Sequence, residues 1–176
     1  PELPAEPAWP VEPEPERDET ALPFFTVDPP GSMDLDQAMH LERDGDGHRI
    51  RYAIADVGAF VPRDSIIERE AWRRGVTIYS PDLRTPLYPT SLSEGAASLL
   101  PDETRPAFVF TIAVDSAGAA HLTGFERALV RSRAKLAYSD REAFYVDLKF
   151  FGVPMETLLS EAYNAERRKL VSREAT

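Results

Sequence analysis

Apolar and polar positions along this chain change period several times, and each change marks an element. LPFFTV (22–27) is a short apolar run that stops at Asp28-Pro29, the pattern of a strand entering a turn. In 37–57, AMHLE alternates, DGDG turns, and RIRYAIADV alternates again before becoming continuously apolar, which predicts a β-hairpin. DSIIEREAWRRG (64–75) predicts a helix, with Asp64 as N-cap, Ile67, Ala71 and Arg74 at helical spacing, and Gly75 as the stop. VTIYSPDLRTPLYPT is broken by prolines and reads as irregular, and SLSEGAASLL (91–100) as a short helix. The stretch from Arg105 to Ser132 predicts a second hairpin turning at 116–118. Further on, Ser139 and Glu142 match a capping box, and Met155, Leu158, Leu159 and Ala162 form one helical stripe. The fold expected is α+β: a mixed, largely antiparallel sheet with flanking helices.

Composition refines the domain limits. The chain has 176 residues and 43% apolar content, enough for one domain with a core. Its net charge of −10 is uneven: residues 1–20 hold seven acids, one base and six of the sixteen prolines. That stretch reads as an extended, solvated arm or linker, followed by a body at 21–176. With no cysteine, a disulfide partner and a thiolate zinc site are excluded. No apolar run reaches the length of a membrane span, and no basic-then-apolar leader is visible. A cytoplasmic protein without membrane contact is the expectation.

Candidate chemistry concentrates in DPPGSMDLDQ (28–37), which holds Asp28, Asp34 and Asp36. Asp, Pro and Gly are ordinary turn residues, so a surface turn accounts for the composition. The spacing points further. Asp34 and Asp36 are one residue apart, so an extended backbone aims both carboxylates the same way and turns Leu35 inward. Asp28 ends an apolar strand. Three carboxylates on a strand end and its adjoining loop suit a hard divalent cation, Mg²⁺ above all, in phosphoryl chemistry. An EF-hand is excluded by the residue order after Asp36. The histidines at 40, 48 and 121 have no ligand spacing, and Asp56 reads as a buried structural carboxylate.

FTVDPPGSMDLDQAMHLER, YAIADVGAFV, REAWRRGVTIYSPDLRTPLYP, LSEGAASLLP and RSRAKLAY, in this order, resemble the catalytic RNB domain of the ribonuclease II family from about Pro23 to Tyr138. The resemblance implies a processive 3′→5′ exoribonuclease that hydrolyses single-stranded RNA to nucleoside 5′-monophosphates with Mg²⁺ (Mn²⁺ as a substitute). It implies that the chain is the N-terminal part of a longer RNB domain, whose second half supplies further basic and aromatic residues. Asp28, Asp34 and Asp36 match three of four acidic positions of the family's metal loop, Asp36 being the catalytic one. Gln37 stands at the fourth, a departure, because an amide oxygen ligates without charge. Tyr79 and Tyr138 match the two aromatic positions that contact the RNA 3′ end.

The residues support these roles on physical grounds. An exonuclease indifferent to sequence needs aromatic faces for stacking and a basic path for the backbone. Arg131 and Arg133 alternate in RALVRSRAK and share one strand face, which suits phosphate contact as well as it suits a solvated basic edge. Two other readings compete with the enzyme. One is a truncated or degenerate RNA-binding remnant, which Gln37 favours. The other is an acidic cation-binding module, which leaves Tyr79, Tyr138 and the basic stretch unexplained.

Overall fold

The computed structural model describes Pro15 and residues 17–137. Its frame is one six-stranded sheet that closes on itself. The strands are β1 (Arg17–Asp18), β2 (Phe24–Val27), β3 (Gln37–Asp44), β4 (Gly47–Ala55), β7 (Thr104–Val114) and β8 (Ala120–Leu136). They lie in the order β1-β8-β2-β3-β4-β7, and β7 also pairs with β8. One edge of the long β8 runs antiparallel to β7 from Ala120 to Arg131, and the other takes β1 and then β2 in parallel. Strands β2, β3, β4, β7 and β8 therefore form a ring, which removes the free edges an open sheet would expose.

The interior follows from alternation. Ala38, Ala53, Ala107, Val109, Ala128 and Val130 face one buried cluster with Phe24, Leu35 and Leu99. Register stacks them: Ala38 opposes Ala53, Ala53 opposes Val109, and Ala107 opposes Ala128. Small residues fit because a closed ring of few strands leaves little room at its axis. Strand β2 is buried on both faces. Phe24 enters that interior, while Phe25 packs with Leu136, Met39 and Leu41 on the outside of the ring. Burying each such side chain contributes roughly 1.5–3 kcal/mol.

Both hairpins form where the pattern predicts, with turns between Asp44 and Gly47 and between Val114 and Ala120. In the first turn Gly45 has φ +60, and a Cβ on Gly47 would sit 2.2 Å from the Val114 carbonyl oxygen, so both places require glycine. Helix α1 (Ile66–Arg74) also forms, and Gly75 ends it in the left-handed conformation. Its cap is Ser65 and not Asp64. The Ser65 side chain accepts the Glu68 N–H, while Asp64 takes φ +62 one residue earlier.

Three expectations are corrected. The proline-broken stretch contains a small hairpin, β5 (Ile78–Tyr79) with β6 (Arg84–Thr85). Helices are sparse among the described residues: beside α1 there are only the short turns Val57–Ala59 and Leu92–Ala96, so flanking helices are a minor feature of a mostly β body. The capping box at 139–142 and the stripe at 155–162 lie outside the described residues. Finally, the acidic arm does not extend to residue 20. Arg17–Asp18 pairs with Ala128–Leu129, and the Glu19 N–H donates to the Leu129 carbonyl at 2.8 Å. Glu19 is buried and meets the Arg51 guanidinium, so its charge is spent inside the body and not in solvent.

Candidate active site

The aspartate loop runs from the end of β2 to the start of β3, and seven of its backbone groups are tied to other segments of the chain. The Asp28 N–H donates to the Leu136 carbonyl at 2.9 Å, and the Ala55 N–H to the Asp36 carbonyl at 2.9 Å. Leu35 is fully buried. Its carbonyl accepts the Leu99 N–H at 2.8 Å, and its N–H donates to the Ser98 hydroxyl at 3.0 Å. Ser98 in turn donates to the Met33 carbonyl at 2.6 Å. The Lys135 ammonium donates to the Pro30 carbonyl at 2.9 Å and to the Ser32 carbonyl. A loop of Asp, Pro and Gly is thereby held as firmly as a strand, the condition for aiming side chains at a common point.

Leu35 points inward, and Asp34 and Asp36 are both exposed on either side of it. Both line a cleft of about 250 Å³, whose other walls include Ala55, Thr77, Arg84 and Tyr88. Asp28 is half-buried at the strand end. Burial pushes its carboxyl above the usual range, the Asp36 charge adds to this, Lys135 opposes it, and Asp34 adds again. The three acids therefore feel one another. Their charges are met by two cations from distant segments: Lys135 near Asp28, and Arg84, whose Nη1 lies 3.5 Å from Asp34 Oδ2. Arg84 also bonds Glu94, so one guanidinium spans two carboxylates. Among the described residues, no three His, Cys, Asp or Glu side chains stand close enough to hold an ion as placed.

Gln37 opens β3 beside Asp36, and its amide oxygen accepts the Tyr52 hydroxyl. Tyr79 is 74% exposed on β5, directly across from Arg84. Tyr138 lies outside the described residues. Arg131 donates to the Thr104 hydroxyl at 2.9 Å, and Arg133 reaches the Thr20 carbonyl at 3.2 Å and Asp102 at 3.6 Å. Neither arginine lines the cleft. A bulge in β8 at 132–134 breaks the shared face expected after Arg131, and Lys135 beyond it is the residue that reaches the loop. Asp56 is the buried structural carboxylate expected: it holds Arg127 at 2.6 Å and accepts the Ala59 N–H at 3.1 Å.

Residues 16–152 match the RNB domain. The chain belongs to the RNB family. Exoribonuclease 2 of Actinobacillus pleuropneumoniae is 41% identical over 131 residues, covering 70% of this chain and 20% of that protein. Among solved structures, Mycoplasma genitalium RNase R in complex with double-stranded RNA superposes with a TM-score of 0.69 at 32% identity, covering 74% of this chain and 23% of that one. The same enzyme in complex with ribose-methylated single-stranded RNA also gives 0.69, at 30% identity over 80% of this chain and 21% of that one. This RNB segment thus spans about a fifth of the curated relatives it matches. Sequence reasoning missed Ser98, hidden in an apolar run, and Arg84, hidden in a proline-rich one. The available signal for Arg84 was that PDLRTPLYP contains one base and no other.

Proposed function

We propose that this chain supplies the metal-loop portion of the catalytic domain of a 3′→5′ exoribonuclease that degrades single-stranded RNA to nucleoside 5′-monophosphates. The observation that carries the reading is the pinned loop: Asp34 and Asp36 open on one cleft, and Asp28 lies within their field. The match to RNB relatives named as exoribonucleases supports it.

The donor set fits a hard cation. Its atoms are carboxylate oxygens plus the Gln37 amide oxygen, and Asp28, raised first by burial and then by the Asp36 and Asp34 charges, is a carboxyl whose ionisation a bound cation would favour. Asp28, Asp34 and Asp36 would hold Mg²⁺ or Mn²⁺, with Asp34 turning from Arg84 to do so. When bound, the ion supplies charge for the scissile phosphate and lowers the pKa of attacking water. Asp36 accepts a proton or orients that water, and Tyr79 presents its ring to a 3′-terminal base. Tyr138 is the second stacking face, and Arg131, Arg133 and Lys135 of β8 are the candidate contacts to the RNA backbone. A cytoplasmic location belongs to the same proposal.

A second reading, an RNA-binding remnant without turnover, is favoured by one observation: Gln37 brings no charge to the loop and its oxygen is engaged by Tyr52. One assay separates the two. The full-length protein, given 3′-labelled single-stranded RNA and Mg²⁺, should release mononucleotides. Asp36→Asn should lower that rate by roughly 10² to 10⁴ while leaving RNA affinity nearly intact. RNA binding without product from the wild-type protein would establish the remnant.

A further inference from the structure

Two clefts flank Asp34. The first is the one lined by Asp34 and Asp36. The second, about 440 Å³, is lined by Pro29, Gly31, Ser32, Met33, Arg84 and Glu94 together with Asp34. Among the described residues, Arg84 is the one basic side chain that lines either, and it lines both. An anionic substrate brought to aspartates meets repulsion unless a cation stands beside them.

Arg84 is built into that position. It sits on β6 directly opposite Tyr79, so the aromatic ring and the guanidinium belong to cross-strand neighbours. One nitrogen, Nη2, is held by Glu94, on a turn anchored by the fully buried Leu92. The other, Nη1, lies 3.5 Å from Asp34, long for a charged hydrogen bond, and the side chain is 37% exposed. The grip on Glu94 fixes the guanidinium while the arm toward Asp34 stays exchangeable. The hairpin carrying it has few other ties: the Arg74 guanidinium to the Pro86 carbonyl at 2.7 Å, and the Leu87 N–H to the Thr77 hydroxyl at 3.1 Å.

We infer that Arg84 is an RNA phosphate-binding residue, oriented by Glu94, and that with Tyr79 it makes the 78–85 hairpin a two-part clamp for the RNA 3′ end. This rests on the exoribonuclease reading and adds to it a specificity element of the same site. Tyr79 takes a base face and Arg84 takes the phosphate beside it. Glu94 is a positioning residue, acting only through Arg84.

The test is RNA binding without turnover, in the full-length protein carrying Asp36→Asn, titrated with a single-stranded oligonucleotide over a range of salt. Arg84→Gln should weaken binding roughly tenfold at low salt. It should also reduce the slope of log affinity against log salt by about 0.7, the value for one phosphate contact on a single strand. Arg84→Lys should keep the slope and recover part of the affinity. Glu94→Gln should weaken binding less, with the slope retained. Mn²⁺ affinity by calorimetry, read with Asp36 intact, should tighten at most modestly in Arg84→Gln, which frees Asp34, and stay unchanged in Arg84→Lys. An unchanged salt slope in a folded Arg84→Gln protein overturns the assignment. Tighter Mn²⁺ binding with unaltered RNA affinity also overturns it, and makes Arg84 a counter-ion of Asp34 alone. A wild-type protein that binds no RNA overturns both this inference and the reading beneath it, whereas binding indifferent to Arg84 removes the inference only.

Discussion

The Ser98 hydroxyl is the hinge pin of the aspartate loop: it accepts the Leu35 N–H at 3.0 Å and donates to the Met33 carbonyl at 2.6 Å, across 63 and 65 residues of sequence. Ser98 is 2% exposed and Leu35 is fully buried, so the Leu35 N–H has no water as a substitute, whereas Met33 is 47% exposed. Ser98→Ala should therefore leave one buried donor unsatisfied and cost about 1–3 kcal/mol. Urea unfolding reads the loss. Amide exchange should quicken at Leu35 more than at Val109, and equal acceleration at both would remove the local role of Ser98.

Glu19 closes one end of the ring. Its carboxylate is buried against Arg51, with Arg17 at 3.4 Å. Removing one partner of a buried pair leaves the other uncompensated, so Glu19→Ala should cost about 3 kcal/mol, less as far as Arg51 reaches water. Truncation before Thr20 should destabilise similarly, because it also deletes β1. A thermal midpoint indifferent to that truncation would show that β1 contributes nothing.

His40 gives stability a pH dependence. Burial beside Phe24 pushes its pKa below the ordinary value; Glu42 at 3.8 Å and a hydrogen bond to the Pro23 backbone oppose this, and Arg51 adds to it. The unfolded chain then takes a proton at about pH 6.5 that the folded chain refuses. Its contribution is complete above that pH and is lost as pH falls through the folded value. Wild type should lose stability from pH 7 to 5 relative to His40→Gln. Parallel urea midpoints for the two proteins across that range would remove His40 as the cause.

Asp28 has the opposite sign. Its raised carboxyl favours the protonated form in the fold, so ionisation at neutral pH works against folding, and stability is gained as pH falls toward the unfolded value. Without divalent cation, Asp28→Asn should raise the thermal midpoint at pH 7. With Mn²⁺, wild type should gain stability and the variant should gain little, since the cation has lost a charged ligand. A wild-type midpoint unmoved by millimolar Mn²⁺ would dismiss the metal loop.

The paired carboxylates Asp34 and Asp36 account for binding rather than folding. Asp34→Asn with Asp36→Asn should abolish Mn²⁺ binding by calorimetry and leave the unfolding free energy within about 0.5 kcal/mol, as expected for exposed side chains. Equal Mn²⁺ binding by variant and wild type would place the ion elsewhere.

What the sequence determined by itself was local. Alternation set both hairpins and their turns, Gly75 set the helix end, and Leu35 between two aspartates set which side chains face out, because each depends on neighbours within a few residues. The RNB motifs were legible for the same reason: they are contiguous runs. Pairings across the chain were not. That β8 would bind β7 on one edge and β1 and β2 on the other, closing the sheet, depends on long-range register that no window of sequence contains. Glu19 read as one more acid of a solvated arm, since composition cannot say that Arg51 waits thirty-two positions away. Likewise Lys135, Arg84 and Ser98 reach the aspartate loop only once the ring has closed and β6 has folded beside it. Charge and hydrogen-bond partners act through space over a few ångströms, so tertiary structure alone decides which distant residues share a site.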